Sequence, residues 1–482
     1  MASAEAAPFA RVGDLGEVTS ALCKALARRG HEVALVLPRY LAVDRGGFRT
    51  EPIDLPLLFR IDDEERTGWI HQASLPGSAV TVYFVVNDHY YNRQGLYQED
   101  GRDYPDNLAR FTFFCRAVLD ILQSQEFAAD IVHCHDWPTA LIPAYLKINF
   151  EGCASGRRLR TVFTLHNIAY QGFFPKGMLP TTGLPREVFT PEGIEFYGDL
   201  NLLKAGFVFS DHITTVSERY AAEIMSPEYG MGMESIVAAA RARLTGILNG
   251  VDYEVWNPVT DPHLPTRYDP RDLSGKVDCK ARLQEEFGLP PKAEAPLLAT
   301  MGPLSIQHQS DIIPPALEVQ LLAEDVQCAA LVGADSESAR PYFDLQRRFP
   351  AQIGVRRAAE EGLAHRLQAG ADLFLMPSRY EPCRLTELTS MKYGTPPVVR
   401  QIGGMAETVR DYNEAQKDGY GFVFHNPDPK DLLGAVRRAL AVFRDKTSWV
   451  ALQRRGMAQD FSWDVTASRY EALYHFLLEE SS

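Results

Sequence analysis

The sequence predicts an α/β protein of two domains, each built on a parallel β-sheet with helices covering it. Three observations carry this. The chain has 482 residues, more than one core usually supports at roughly 100–200 residues per domain. Short, β-branched apolar runs alternate with helical patterns, the rhythm that builds parallel sheets. That rhythm runs twice and is interrupted once, by a proline- and aspartate-rich segment that starts at Asn257 (NPVTDPHLPTRYDPRD).

The elements follow in order. Leu15 to Arg29 reads as an amphipathic helix with Val18, Leu22 and Leu26 on one side. Gly30 stops it, and His31–Leu37 follows as a strand. Asp130–His133, Thr161–Leu165 and Ile213–Val216 are short continuous apolar strands of the buried parallel kind. Ser217 is placed to cap a helix over Glu218–Ile224, and Leu244–Leu248 closes the first half. After the interruption, Leu297–Met301, Cys328–Val332, Leu373–Met376 and Pro397–Arg400 read as strands, with a helix over Leu385–Tyr393. The pattern is that of two Rossmann-like domains. Ligands of such sheets sit outside the carboxyl ends of the strands, so the working site is expected there, in a cleft between the domains.

Composition excludes several classes. Lys and Arg total 49 against 63 Asp and Glu, a net charge of −14. A nucleic-acid partner needs clustered positive charge and is not expected. No apolar run reaches the length of a membrane span, and the start lacks the basic and apolar regions of a secretory signal. The seven cysteines include no C-x-x-C pair, which argues against a disulfide framework or zinc ribbon and for the reducing cytoplasm. GxGxxG, Walker A, HExxH and GxSxG are all missing, so dinucleotide-linked oxidoreduction, ATP hydrolysis and serine hydrolysis lack their signatures.

Polar groups gather after the strands. His135 follows one strand in Cys134-His135-Asp136-Trp137. His166-Asn167 and Tyr170-Gln171-Gly172 follow the next, and Asn249-Gly250 follows Leu244–Leu248. The loop Ala10–Gly16 (ARVGDLG) feeds a helix N-terminus, an anion site by geometry. Arg11 adds positive charge there, Gly13 adds freedom, and Asp14 subtracts charge. In the second half Glu381 lies between a strand and a helix, and Gly403-Gly404 follows the next strand.

These residues fall in longer blocks. SAEAAPFARVGDLGEV, GLYQEDGRDYPDN, HCHDWPTALIP, FTLHNIAYQG, LKAGFVFSDHITTVS, LTGILNGVDYEVWNP, PSRYEPCRLTEL and YGTPPVVRQIGGMAETV, with the terminal QDFSWDVTASRYEALY, resemble in content and order the bacterial glycogen synthase and plant starch synthase family. The resemblance implies a GT-B fold and a retaining glucosyltransferase that elongates an α-1,4-glucan with glucose from ADP-glucose. No cofactor beyond that substrate is implied; the partners are the nucleotide sugar and a glycogen or starch acceptor. It implies a first domain over 1–256, a second over 257–460, and a C-terminal helix in 461–482 packed back on the first. By resemblance Asp106, His135 and Asn249 contact the transferred glucose or acceptor, and Glu381 lies near the glucose and its developing positive charge. Tyr380, Cys383, Leu385 and Thr386 frame the Glu381 loop, while Arg11, Gly13, Asp14, His308 and Arg384 line the donor diphosphate.

The departures from the family pattern cluster at the diphosphate. Arg11 stands for a Lys and Asp14 for a Gly; Pro303 and His308 replace an Arg and a Lys; Arg384 replaces a Gly. The family's first strand is also shortened before Ser3. Retention of Asp106, His135, Asn249 and Glu381 favours an active enzyme. The Pro303/His308 pair favours an alternative, a catalytically impaired homologue that binds glucan or regulates an active synthase.

Overall fold

The structure is a computed structural model that describes residues 1–124, 127–148, 159–302, 311–333, 339–357, 361–382 and 385–479. The chain forms two units, Met1–Asn249 with Trp463–Ser482, and Gly250–Ser462. The divisions differ from the expected ones after 256 and 460. The reason is local pairing: Val251 N donates to Phe461 O at 2.7 Å and Val251 bridges to Ser462, so these two stretches run together.

In the first unit, Leu244–Gly246, His212–Thr215, Arg160–Leu165 and Ile131–His135 lie side by side in that order, all parallel. The chain start continues the sheet. Ala2 bridges Cys134 on one side and Val36 on the other, with Ala2 N donating to His133 O and Val36 N to Met1 O, both at 2.8 Å. The first residues therefore join the two halves of the sheet. Beyond it come Ala34–Pro38 and Thr81–Val86, parallel to each other.

The expectation of a wholly parallel sheet is corrected at this edge. Glu51–Ile61 and Glu64–Ser74 form an antiparallel ribbon that pairs onto Thr81–Val86. Asp62 and Asp63 make its turn with φ of 52° and 61°, the left-handed pair that matches strand twist in a two-residue hairpin.

The helix Asp14–Arg28 turns Val18, Leu22 and Leu26 inward against the C-terminal helix Trp463–Glu479. Trp463, Tyr470, Tyr474 and Leu477 of that helix are buried in the same cluster. At about 1.5–3 kcal/mol for each large apolar side chain buried, this face outweighs the rim ion pair Arg29–Glu471, since exposed pairs contribute about 0–1 kcal/mol. Polar fastenings fix the register. Arg160 Nε donates to Leu477 O at 3.1 Å, and Thr466 Oγ1 to Leu248 O at 2.9 Å. The Ser217 cap is present, its Oγ accepting from Tyr220 N at 2.8 Å.

The second unit is a six-stranded parallel sheet in the order Ile353–Arg357, Gln327–Val332, Leu297–Gly302, Leu373–Met376, Pro397–Arg400, Phe422–Phe424. Its two edge strands were not assigned from the sequence. Apolar residues of the sheet and of the helices Ile313–Ala323 and Pro429–Arg444 make one core. Among the described residues no helix is long and apolar enough to cross a membrane.

Candidate functional site

In the first unit the chain leaves the strand Ile131–His135 through Asp136, whose φ of 58° and ψ of 178° are strained for a side-chain-bearing residue. Such a conformation costs on the order of 1–3 kcal/mol and concentrates at functional sites. It is held from both sides. Asp136 N donates to Thr164 O at 3.0 Å, and Asp136 Oδ1 accepts from His166 N at 2.8 Å. Burial pushes the Asp136 carboxyl up to about 7, partly opposed by the amide of His166, with Glu5 adding to the rise.

His135 does not face outward. It is fully buried, stacks on His133 with ring centres 4.3 Å apart, and meets His166 Nε2 through Nδ1 at 3.0 Å. Its Nε2 has no hydrogen-bond partner among the described residues. Below it, His133 is held by Tyr474 Oη at 2.7 Å and Thr164 Oγ1 at 2.5 Å. The ligand contact expected at His135 falls on a buried ring, with Asp136 and His166 half-buried beside it. Burial lowers His166 to about 3, so its imidazole is neutral near pH 7.

Asp106 precedes the helix Asn107–Gln123. Arg93 grips it bidentately, Nη1 to Oδ1 at 2.7 Å and Nη2 to Oδ2 at 2.6 Å. Burial alone would raise the Asp106 carboxyl, but the guanidinium holds it below the ordinary carboxylate range. Asn249 is buried just past the strand Leu244–Gly246.

The loop Ala10–Gly16 departs from its expected form. Val12 N and Gly13 N donate to Glu5 Oε2 at 2.6 and 3.2 Å, so two amides of the anticipated anion site already hold a carboxylate. Arg11 is paired with Glu17 in an exposed ion pair. Asp14 is exposed in the first turn of its helix.

In the second unit Glu381 is 5% exposed and its Oε2 accepts from Ser378 Oγ at 3.1 Å. Gly403 crosses directly behind it. A Cβ there would lie 1.7 Å from Glu381 O, and its φ is +50°, so only glycine allows the approach. Gly404 N donates to Pro382 O at 3.2 Å, tying the two loops. Tyr380 is buried beside Glu381. Leu385 and Thr386 open the helix Thr386–Lys392. His308 and Arg384, with Pro303 and Cys383, lie outside the described residues.

The sequence reading thus missed Glu5, Arg93 and Asp136 as members of these clusters. Asp136 lay inside a quoted motif, yet its backbone strain has no signature in residue type. Among the described residues no group of three or more His, Cys, Asp or Glu side chains could hold a metal ion.

Known proteins resemble the chain at both levels. Residues 1–239 match the starch synthase catalytic domain family and 302–441 the glycosyl transferases group 1 family. A glycogen synthase of Anaeromyxobacter sp. (strain Fw109-5) is 45% identical, over 98% of this chain and 98% of its own length. Glycogen synthase 2 of Geobacter sulfurreducens is 41% identical over 98% and 97%. The catalytic domain of starch synthase IV from Arabidopsis thaliana, solved bound to ADP and acarbose, superposes with a TM-score of 0.89 at 31% identity, covering 99% of this chain and 98% of that one. Sucrose-phosphate synthase from Thermosynechococcus elongatus, at 16% identity and a TM-score of 0.59, shares the fold. None of these relatives supports the regulatory alternative. Matched by such enzymes along nearly its whole length, the chain belongs to the glycogen synthase and starch synthase family of GT-B glycosyltransferases.

Proposed function

We propose that the chain lengthens an α-1,4-glucan by moving glucose from ADP-glucose with retention at the anomeric carbon. The observation that carries the reading is the near end-to-end likeness to glycogen synthases. The ADP and acarbose bound to the Arabidopsis relative support an adenine nucleotide sugar and a glucan acceptor. Free buried cysteines at Cys23, Cys115, Cys134, Cys279 and Cys328 support a cytoplasmic setting.

Glucose transfer builds positive charge on the sugar and negative charge on the departing diphosphate. Glu381 is the group we assign to the sugar's positive charge, because Ser378 and the Gly403 crossing fix it before substrate arrives. Asp136, His166 and Asn249 are assigned to the sugar and acceptor hydroxyls, with His135 and Asp106 as supports. Neutral His166 offers a donor or acceptor without adding charge. Tyr380, Leu385 and Thr386 are assigned to the donor side with Arg384 and His308. Arg11, Gly13 and Asp14 border the donor, and Arg11 must leave Glu17 to act on phosphate.

The test is transfer of radiolabelled glucose from ADP-glucose, and separately UDP-glucose, onto glycogen. ADP-glucose is expected to be the better donor, and Glu381→Ala to cost about 10²–10³ in rate. Incorporation no higher than that variant's would overturn the reading.

A further inference from the structure

We propose that Glu5 is a positioning residue for the transfer reaction, coupling the Ala10–Gly16 loop to Tyr97 through one buried carboxylate. The idea rests on the reading that this loop borders the reacting sugar nucleotide.

Glu5 is 5% exposed and it accepts three hydrogen bonds. Oε2 takes Val12 N at 2.6 Å and Gly13 N at 3.2 Å, and Oε1 takes the Tyr97 hydroxyl at 2.8 Å. Two connections distant in sequence are thereby locked together. A buried carboxylate kept this way is a poor stability device, because its desolvation costs much of what its hydrogen bonds return. An apolar side chain would fill the space, but it would leave two amides and a hydroxyl unsatisfied. Only a group with two acceptor oxygens serves all three donors at once.

The polarity is the functional point. Because a carboxylate can only accept, the Tyr97 hydroxyl must donate to Glu5. Its oxygen lone pairs are then left to accept a hydrogen bond from a substrate hydroxyl. Tyr97 also packs toward Trp137, ring centres 6.4 Å apart, which carries the fixed orientation to the end of the strand that bears Asp136. The amides of Val12 and Gly13 are meanwhile held in place, so the exposed turn from Arg11 to Asp14 keeps one shape.

Glu5→Gln separates these roles. Its oxygen can still serve Val12 and Gly13, but its amino group then faces Tyr97 and reverses that hydrogen bond. Tyr97→Phe removes the same bond from the other side and leaves the loop contacts intact. With ADP-glucose and glycogen, each single variant is expected to lose about tenfold or more in kcat with KM changed by less than about threefold, and the double variant to fall no further than the worse single. A rate near wild type in either single variant, or losses that multiply in the double, overturns the coupling. The second readout needs no turnover. Amide exchange across residues 10–16 should quicken in Glu5→Ala, whereas Glu5→Gln should retain wild-type protection; equal exchange in all three proteins overturns the brace. A wild type without transfer would sink the functional reading alone, and the exchange measurement would still judge the brace.

Discussion

At the scale of single residues, the polar positions sort by what already holds them. Asp106 is gripped by Arg93 and Arg11 by Glu17, so each must break a contact or act indirectly. Asp136 and His166 are different. The Asp136 carboxylate accepts from His166 N, which orients both, and the two residues are half-buried at the strand ends. His166→Ala is therefore expected to cut kcat for glucose transfer by about 10²–10³, the effect of losing one preorganised polar group, while His135→Gln should cost less in rate and more in stability. Equal rate losses for the two would show that His166 has no special place. Asp136→Asn tests the raised carboxyl. A carboxyl at about 7 in the fold and near 3.9 when unfolded favours folding at low pH and loses that advantage as pH rises through 7. The variant should thus gain more thermal stability over the wild type at pH 7.5 than at pH 5, where only part of the penalty has built up, with activity lost at both. A gain independent of pH would mean the carboxyl is not the titrating group.

At the scale of elements, the loops behind Glu381 and under His133 are the exacting parts. Gly403→Ala places a Cβ against Glu381 O at a φ of +50°. The conformation alone costs about 1–3 kcal/mol, and relief must move the Glu381 loop, so activity should fall well beyond what the change in melting temperature accounts for. Full activity in a folded Gly403→Ala protein would show that the crossing is not what fixes Glu381. Tyr474→Phe removes one buried hydroxyl from His133 and should lower unfolding free energy by about 1 kcal/mol by urea titration; no change would show that His133 finds another partner. Sequence pattern revealed much at this scale. The helix Asp14–Arg28 and the strands Leu373–Met376 and Pro397–Arg400 read plainly, because continuous apolar runs and a single apolar stripe are local signals. The ribbon Glu51–Ser74 did not, because its faces alternate in burial and charged residues lie throughout. The strand ends that carry the candidate site were legible as motifs. Which of two adjacent residues faces outward was not, since His135 and Asp136 differ only by a backbone twist at φ 58°. The Glu5 brace was equally hidden, because it joins residues distant in sequence.

At the scale of the whole molecule, buried histidines make the first unit the acid-sensitive half. His133 and His135 are held well below the ordinary histidine range by burial, His166 is lowered to about 3 and His212 to about 4. Unfolding frees all four to take protons near 6.5. Their contribution to stability is thus complete above that pH and lost as pH falls below it. Asp136 runs the other way, already protonated in the fold below about 7. His71 is also lowered and Asp120 also raised, and with the lowered histidines outnumbering the raised carboxyls, unfolding of this unit takes up protons near pH 5. Amide exchange of the strand Ile131–His135 should therefore quicken steeply between pH 6.5 and 5, after correction for the intrinsic rate, and more steeply than exchange of Leu373–Met376 in the second unit. His212→Gln should remove about one proton from that dependence, since its ring is fastened by Thr245 Oγ1 at 2.9 Å and, among the described residues, meets no carboxylate there. A first-unit stability that is flat or rises from pH 7 to pH 5 would mean that the histidines are protonated in the folded chain, and the neutral His166 assigned to the acceptor side would fall with it.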